Sequence, residues 1–237
     1  MIKLILFDLD GTLIDSLEDL AQAVNHALGL RGLPLHTVTE YRRMVGHGVR
    51  NLVKQALDAS ICHTERSPFC HTERSERISS DQVSDALIDS ALADFKAYYQ
   101  AHIDVHTRPY PGIPELLTDL QAHGIQLAVV SNKFQEGTEY LIQRFFPGIR
   151  FVAILGTKPG APLKPDPEIV QEVLRKANVQ PADALLVGDS PTDMKTAANG
   201  GIESIAATWG YRTAEELAGH RQVNTVEELK SALQELA

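Results

Sequence analysis

The stretch Ile5–Ile14, with the sequence ILFDLDGTLI, decides the fold of this chain because an apolar run ends there in two carboxylates. Apart from Lys3, the run Ile2–Phe7 is apolar, which is typical of a central parallel strand buried on both faces. Asp8 and Asp10 are two residues apart, so in an extended segment their side chains point the same way. We expect both at the carboxyl edge of a sheet, where open α/β sheets bind ligands.

The turn that follows is predicted to contribute to an anion site. Gly11 permits a tight turn, and backbone amides of the turn, at Gly11 and Thr12, can face an anion that the carboxylates alone would repel. The alternative is an acidic turn without function, because Asp-Gly is a common turn dipeptide.

Composition narrows the class of protein. The 237 residues are 43% apolar and 22% charged, enough for one large domain or two small ones. The net charge of −9 argues against nucleic acid or an anionic membrane as the main partner. The first apolar run is too short for a signal peptide or a membrane span, and two cysteines form no disulfide framework. We therefore expect a cytoplasmic protein, and the oligomeric state has no signal in the sequence.

Strand-like runs alternate with amphipathic helical segments. The predicted strands are Ile2–Phe7, Ile125–Val130, Phe151–Leu155, Ala184–Val187 and Ile202–Ala207, and the clearest helices are Ile113–Ala122 and Pro167–Ala177. This alternation predicts an α/β fold with a doubly wound parallel, Rossmann-like sheet. Residues 15–104 show helical periodicity without a convincing strand, so we predict an α/β core over 1–14 and 105–237 with an inserted all-helical cap domain.

An internal repeat lies within the insert. The sequence CHTERS occurs at Cys62–Ser67 and again at Cys70–Ser75. The segment is polar and has no apolar periodicity, so a solvated loop is favoured. Two Cys-His pairs leave zinc binding as the alternative.

Three further clusters follow predicted strands or precede helices. Ser131 and Asn132 offer a hydroxyl group and an amide to a phosphoryl oxygen, although both are also common helix N-caps. Lys164, in the sequence KPDP, can neutralise developing charge or can simply be solvated. Asp189 and Asp193, in the sequence GDSPTD, are hard oxygen ligands suited to Mg²⁺, although each can also serve as a capping residue.

The ordered motifs DLDGT, SN, KP and GDSPTD resemble those of the haloacid dehalogenase superfamily of phosphotransferases, over the whole chain. The resemblance implies that Asp8 is the nucleophile that forms an aspartyl phosphate and that Asp10 is the general acid and base. It also implies that Ser131 and Lys164 hold the phosphate.

The same resemblance implies a metal site. Asp189 matches a metal ligand beside Asp8 and the backbone carbonyl of Asp10, and Asp193 helps to hold the site. The chemistry agrees, because a carboxylate attacks a phosphate monoester only when a cation bridges the two anions. We therefore expect Mg²⁺ as cofactor and a small phosphate ester as substrate.

The segments YRRMVGHGVRNLV, at Tyr41–Val53, and TWGY, at Thr208–Tyr211, resemble the phosphoglycolate phosphatase branch. The doubled CHTERS segment and His220–Asn224 depart from that branch. A carboxylated substrate needs a second anion site, for which Arg50, with His47, is the candidate in the turn and helix start that follow Gly46. A solvated arginine is the alternative.

Other functions share some of these features. A sugar-phosphate mutase has every core motif, and a pyrophosphatase is a further alternative. A signalling receiver domain would be about half as long and would carry its acidic pair and its phosphorylated aspartate on different strands. A haloacid dehalogenase proper would need neither the carboxylate of Asp10 nor a metal, and a binding protein that has lost catalysis would not retain every catalytic side chain. The motifs therefore favour a phosphoric monoester hydrolase.

Overall fold

The computed structural model describes residues 1–65 and 83–236, and the chain forms two compact units. One unit comprises Met1–Ser16 and Thr107–Ala237, and the other comprises Leu17–His106. These limits lie close to the predicted domain limits, while the division into a catalytic core and a cap stays a prediction. The first CHTERS copy is described only as far as Glu65, and Cys70–Ser75 lies outside the described residues, so neither interpretation of the repeat is tested.

The first unit contains a six-stranded parallel sheet in the order β5-β4-β1-β6-β7-β8. A separate antiparallel pair is formed by β2 and β3. The strands are β1 (Leu4–Phe7), β2 (Ile14–Asp15), β3 (Arg108–Pro109), β4 (Gln126–Phe134), β5 (Phe151–Thr157), β6 (Ala184–Gly188), β7 (Glu203–Ala207) and β8 (Gln222–Val223).

The helices of this unit flank the sheet. They are α5 (Ile113–Ala122), α6 (Gln135–Phe145), α7 (Glu168–Ala177), α8 (Pro191–Gly200) and α9 (Val226–Leu236). Strand β1 is central, and its side chains, which point alternately to the two faces of the sheet, are all buried because helices cover both faces. Leu4 and Leu6 belong to a core cluster with side chains of α7 and α8. The predicted doubly wound α/β fold is thus confirmed.

The second unit is helical in its described part. It contains α1 (Leu17–Gly29), α2 (Val38–Met44), α3 (Val49–Glu65) and α4 (Asp85–His102). Helix α1 packs against α4, and α3 packs against α4 as well. Its core includes the fully buried aromatic rings of Tyr41, Phe95 and Tyr99. No helix within residues 1–65 and 83–236 is long and apolar enough to cross a membrane.

One strand prediction differs from the structure in a way that matters for the site. Strand β4 continues four residues beyond the predicted end at Val130, to Phe134, so Ser131 and Asn132 lie in the strand and do not cap a helix. Helix α6 begins directly afterwards at Gln135. The short strands β2, β3 and β8 were not predicted, because two-residue pairings leave no periodicity in a sequence.

Candidate active site

The carboxyl edge of the sheet brings together side chains from three neighbouring strands. Asp8 follows β1, Ser131 lies in β4 and Asp189 follows β6, and β1 pairs with both of the other strands. The N–H of Asp8 still donates to the carbonyl of Val187 at 2.9 Å, so the ladder between β1 and β6 reaches the carboxylate itself. The three polar side chains are buried. The residue types singled out in the sequence therefore converge, and their roles remain predictions.

Lys164 lies between two carboxylates. Its Nζ is 2.9 Å from Oδ1 of Asp8 and 2.6 Å from Oδ1 of Asp193, and it also donates to the carbonyl of Val130 at 3.0 Å. Burial acts to lower the pKa of Lys164, but the carboxylates of Asp193 and Asp8 raise it above its ordinary value. Lys164 therefore provides a permanent positive charge beside Asp8.

Asn132 holds Lys164 in place. Its Oδ1 accepts the backbone N–H of Lys164 at 2.8 Å, and its Nδ2 donates to the Lys164 carbonyl at 3.2 Å. Ser131, the preceding residue, accepts the N–H of Lys133 on its Oγ at 3.2 Å. The amide of Asn132, predicted to bind substrate, is thus placed to support the lysine.

Asp189 and Asp193 are anchored by the loop after β6 and the start of α8. Thr12 donates its hydroxyl to Asp189 Oδ1 at 3.3 Å, and Tyr211 donates its backbone N–H to Oδ2 at 2.7 Å. Asp193 accepts the N–H of Ser190 at 3.1 Å in a capping box at the start of α8. Asp193 thus has the capping role through one carboxylate oxygen, while its other oxygen accepts from Lys164, and its role toward a metal stays a prediction.

Asp8, Asp189 and Asp193 form an acidic cluster in which one carboxylate oxygen from each lies within 4.8 Å of the others. Burial, followed by the charge of Asp193, raises the pKa of Asp8 and raises that of Asp189 to about 7. Lys164 supplies one positive charge against these buried carboxyl groups. The remaining negative charge and the all-oxygen donor set fit a hard divalent cation. The side chain of Asp10 is not a member of this cluster.

Asp10 lies in a different environment. Lys133 places its Nζ 3.0 Å from Oδ1 and 3.1 Å from Oδ2 of Asp10. Ser16 donates its hydroxyl to Oδ1 at 2.5 Å. Asp8 and Asp10 were expected to point the same way from an extended segment, but the segment is not extended, because strand β1 ends at Phe7 and the chain bends before Asp10.

The turn after Asp10 also differs from its prediction. The N–H of Gly11 donates to the carbonyl of Ile14 at 2.8 Å, and that of Thr12 donates to the carbonyl of Leu9 at 3.3 Å. These two N–H groups close the turn and do not face an anion. The requirement for glycine is steric: Gly11 has φ +88°, and a Cβ there would lie 2.4 Å from Oδ2 of Asp189.

The residues proposed for a second anion site lie in the helical unit. His47 and Arg50 are both exposed, and Arg50 is the second residue of α3, at the predicted helix start. Its guanidinium forms ion pairs with Asp85, at 2.7 Å, and with Asp89 of α4. Arg50 therefore links α3 to α4, and its role toward a substrate stays a prediction.

Three residues of the site were not predicted from the sequence. Lys133 directly follows the SN motif but carried no assigned role, and Ser16 and Tyr211 were not singled out. Tyr211 closes the TWGY segment, which was noted only as a resemblance. No local signal marks Ser16, because its contact with Tyr211 joins positions that are 195 residues apart.

Comparison with known proteins places this geometry in a family. Residues 5–207 match the family model of the haloacid dehalogenase-like hydrolases. Phosphoglycolate phosphatase 1 of Pseudomonas aeruginosa is 32% identical over 98% of this chain and 78% of the relative. Phosphoglycolate phosphatase of Mesorhizobium japonicum is 35% identical over 88% of this chain and 83% of the relative. The crystal structure of a predicted phosphoglycolate phosphatase from Haemophilus somnus has a TM-score of 0.83 at 28% identity, with 98% of each chain covered.

The fold and the site thus define an α/β protein with a carboxylate-rich centre at the edge of a parallel sheet. The chain belongs to the haloacid dehalogenase-like hydrolase family. The enzyme class expected from the sequence, a phosphoric monoester hydrolase, is confirmed, and so is the resemblance to the phosphoglycolate phosphatase branch.

Proposed function

We propose that this protein is a Mg²⁺-dependent phosphatase that hydrolyses a small phosphate monoester, with phosphoglycolate as the favoured substrate, through an aspartyl phosphate on Asp8. The observation that carries the proposal is the position of Asp8, which belongs to the acidic cluster and is bound by Lys164 at 2.9 Å. The names of the curated relatives support the choice of substrate. A cytoplasmic location remains part of the proposal.

The cation would be held by Asp8, Asp189 and Asp193, with the backbone carbonyl of Asp10 as a predicted further ligand. When bound, it would supply positive charge that lowers the repulsion between the phosphate and the carboxylate. Lys164 and Ser131 would bind phosphoryl oxygens on the same side of the sheet edge. These donors would let an anionic nucleophile approach an anionic substrate.

In the first step an oxygen of Asp8 forms a bond to phosphorus while the bond to the ester oxygen breaks. Asp10 donates a proton to the departing alkoxide, which leaves as the alcohol. In the second step Asp10 takes a proton from water, whose oxygen forms a bond to phosphorus while the bond between the Asp8 oxygen and phosphorus breaks, and inorganic phosphate leaves. Asp8 and Asp10 are thereby restored, so one carboxyl group serves as acid and then as base.

The test is phosphate release by the purified protein from phosphoglycolate, hexose phosphates and pyrophosphate, with Mg²⁺ or with EDTA. We expect Mg²⁺-dependent release and the highest kcat/KM for phosphoglycolate. Conversion of a hexose phosphate into its isomer without net phosphate release would establish the mutase alternative. Equal activity in EDTA would contradict the proposed cation.

A further inference from the structure

Tyr211 contacts both halves of the candidate site. It lies in the segment between β7 and β8 and is buried. Its backbone N–H donates to Asp189 Oδ2 at 2.7 Å. Its phenol oxygen accepts the backbone N–H of Ser16 at 2.9 Å and lies 3.1 Å from Ser16 Oγ. One residue therefore binds a carboxylate of the acidic cluster and the serine that contacts Asp10.

The direction of the hydrogen bonds follows from the number of protons. Ser16 has one hydroxyl proton, which it donates to Asp10 Oδ1 at 2.5 Å. The bond between Ser16 Oγ and the phenol must then use the proton of Tyr211. A phenol has an ordinary pKa of about 10, so Tyr211 carries that proton at neutral pH. The result is a directed chain from Tyr211 through Ser16 to Asp10.

Close packing holds Tyr211 at this position. A Cβ on Gly210 would lie 2.3 Å from the Cβ of Asp189 and 2.3 Å from the carbonyl oxygen of Gly11, so the backbone approaches to a distance that only glycine allows. The indole of Trp209 donates to the carbonyl of Thr12 at 3.2 Å. The segment is thus fastened to the same turn that carries Asp10, and Tyr211 has little freedom to move away.

We propose that Tyr211 is a positioning residue for proton transfer, which acts through Ser16 to orient the carboxyl group of Asp10. The inference rests on the proposed function, because it needs Asp10 to be the general acid. Lys133 binds both oxygens of Asp10, at 3.0 and 3.1 Å, so this ion pair does not distinguish one carboxyl oxygen from the other. The bond from Ser16 to Oδ1 distinguishes the two oxygens and leaves Oδ2 as the one to transfer the proton.

Substrates with different leaving groups distinguish a positioning role of Tyr211 from a merely structural one. A phosphate ester of an alcohol needs its leaving oxygen protonated, whereas 4-nitrophenol leaves as a stable anion and needs little acid assistance. Because kcat/KM reports the steps up to cleavage of the ester bond, loss of orientation at Asp10 should affect the alkyl ester selectively. The substrates to compare are phosphoglycolate and 4-nitrophenyl phosphate, both with saturating Mg²⁺.

We expect Tyr211→Phe to lower kcat/KM for phosphoglycolate by about 10- to 100-fold, the range of a misplaced catalytic group, and to change that for 4-nitrophenyl phosphate by less than about threefold. Ser16→Ala removes the same chain at its other end and should behave alike. The double variant should lose no more than either single variant, because the two groups act as one unit. Tyr140→Phe, which removes a hydroxyl from an exposed tyrosine in α6, is the matched control and should leave both values unchanged.

The outcomes separate the inference from the function on which it rests. If the wild-type protein is active but Tyr211→Phe and Ser16→Ala keep wild-type kcat/KM for phosphoglycolate, the inference is wrong while the proposed function stands. Equal losses on both substrates, together with a lower melting temperature, would make Tyr211 a structural residue only. A wild-type protein that hydrolyses neither ester would overturn the proposed function and the inference with it. If Tyr211→Phe does not fold, Ser16→Ala decides.

Discussion

Asp8 and Asp10 are two residues apart, yet their surroundings differ in kind. Asp8 lies among buried carboxylates and one lysine, Lys164, which it shares with Asp193. Asp10 lies outside that cluster, between the ammonium of Lys133 and the hydroxyl of Ser16. The first environment has excess negative charge and suits a cation, whereas the second holds one carboxyl group in a defined orientation. In the proposed mechanism this difference lets Asp8 serve as the nucleophile and Asp10 as the proton donor.

The largest expected effect is at the nucleophile. Asp8→Asn keeps the shape of the side chain but makes it a poor nucleophile and a poor ligand for a hard cation. We expect phosphatase activity to fall on the order of 10⁴-fold or more. Circular dichroism should show an intact fold, since Asp8 is bound by Lys164 and an amide can still accept that hydrogen bond. Wild-type turnover by folded Asp8→Asn protein would falsify the assignment of Asp8.

Lys164 should be the most sensitive residue for stability. Its removal by Lys164→Met leaves the buried carboxylates of Asp8 and Asp193 without their shared partner. Breaking such a buried pair costs about 3–5 kcal/mol in the free energy of unfolding. We also expect about a 10²- to 10³-fold loss of kcat, because a charge aimed at the transferring group is lost. Urea titration and initial rates measure the two effects.

Lys176→Met is the matched control for this prediction. Lys176 forms an exposed ion pair with Glu172 in α7, and such pairs contribute little. A stability loss at Lys164 no larger than that of the control would show that the cluster is less dependent on the lysine than its geometry indicates.

Asp189→Asn should change the stability of the folded protein in opposite directions without and with Mg²⁺. The pKa of Asp189 is raised to about 7 in the folded protein, above its ordinary value of 3.8, so the folded state binds this proton more tightly than the unfolded state does. Without metal, this group therefore destabilises the protein as pH rises from about 4 through 7. Asp189→Asn should raise the melting temperature of the metal-free protein at pH 8, and the gain should shrink toward pH 4.

With Mg²⁺ bound, the wild-type protein should be more stable than Asp189→Asn. A cation that binds the folded wild type at a hundred times its Kd stabilises it by about 2.7 kcal/mol, and Asp189→Asn should lose most of that gain. Asp183→Asn is the control: Asp183 pairs with Lys3, which lowers its pKa, so the variant should show no metal-free gain and a normal response to Mg²⁺. An unchanged Mg²⁺ response of Asp189→Asn would remove Asp189 from the cation site.

The smallest effect is expected in the helical unit, where Arg50 is exposed and bound to Asp85 and Asp89. If Arg50 also receives a substrate carboxylate, Arg50→Ala should lower kcat/KM for phosphoglycolate about tenfold, as expected for one charged hydrogen bond, and spare 4-nitrophenyl phosphate. Lys54→Ala, which removes another exposed cation of α3, is the control. A lower melting temperature with unchanged kinetics would leave Arg50 as a link between α3 and α4.

The surroundings of Asp8 could be predicted from the sequence, whereas those of Asp10 could not. Local motifs at strand ends and helix starts can be recognised in the sequence alone. Four residues were predicted in this way: Asp8, Lys164, Asp189 and Asp193. The surroundings of Asp10 were missed because Ser16 and Tyr211 meet only after the sheet is assembled. The extension of β4 beyond Val130 was missed as well, since Ser131, Asn132 and Lys133 are polar and show no strand pattern.

The central claim is that Asp8 carries the phosphoryl group while Asp10 moves protons, and trapping the intermediate tests it most directly. Asp10→Asn protein with 4-nitrophenyl phosphate should form the aspartyl phosphate readily, because that leaving group needs little acid, but should hydrolyse it slowly for lack of a base. Acid quench followed by borohydride reduction converts an aspartyl phosphate into homoserine, which peptide mass spectrometry locates. The account predicts homoserine at position 8. Homoserine at another aspartate, or unmodified aspartate at position 8 after a measured burst of 4-nitrophenol, would contradict it.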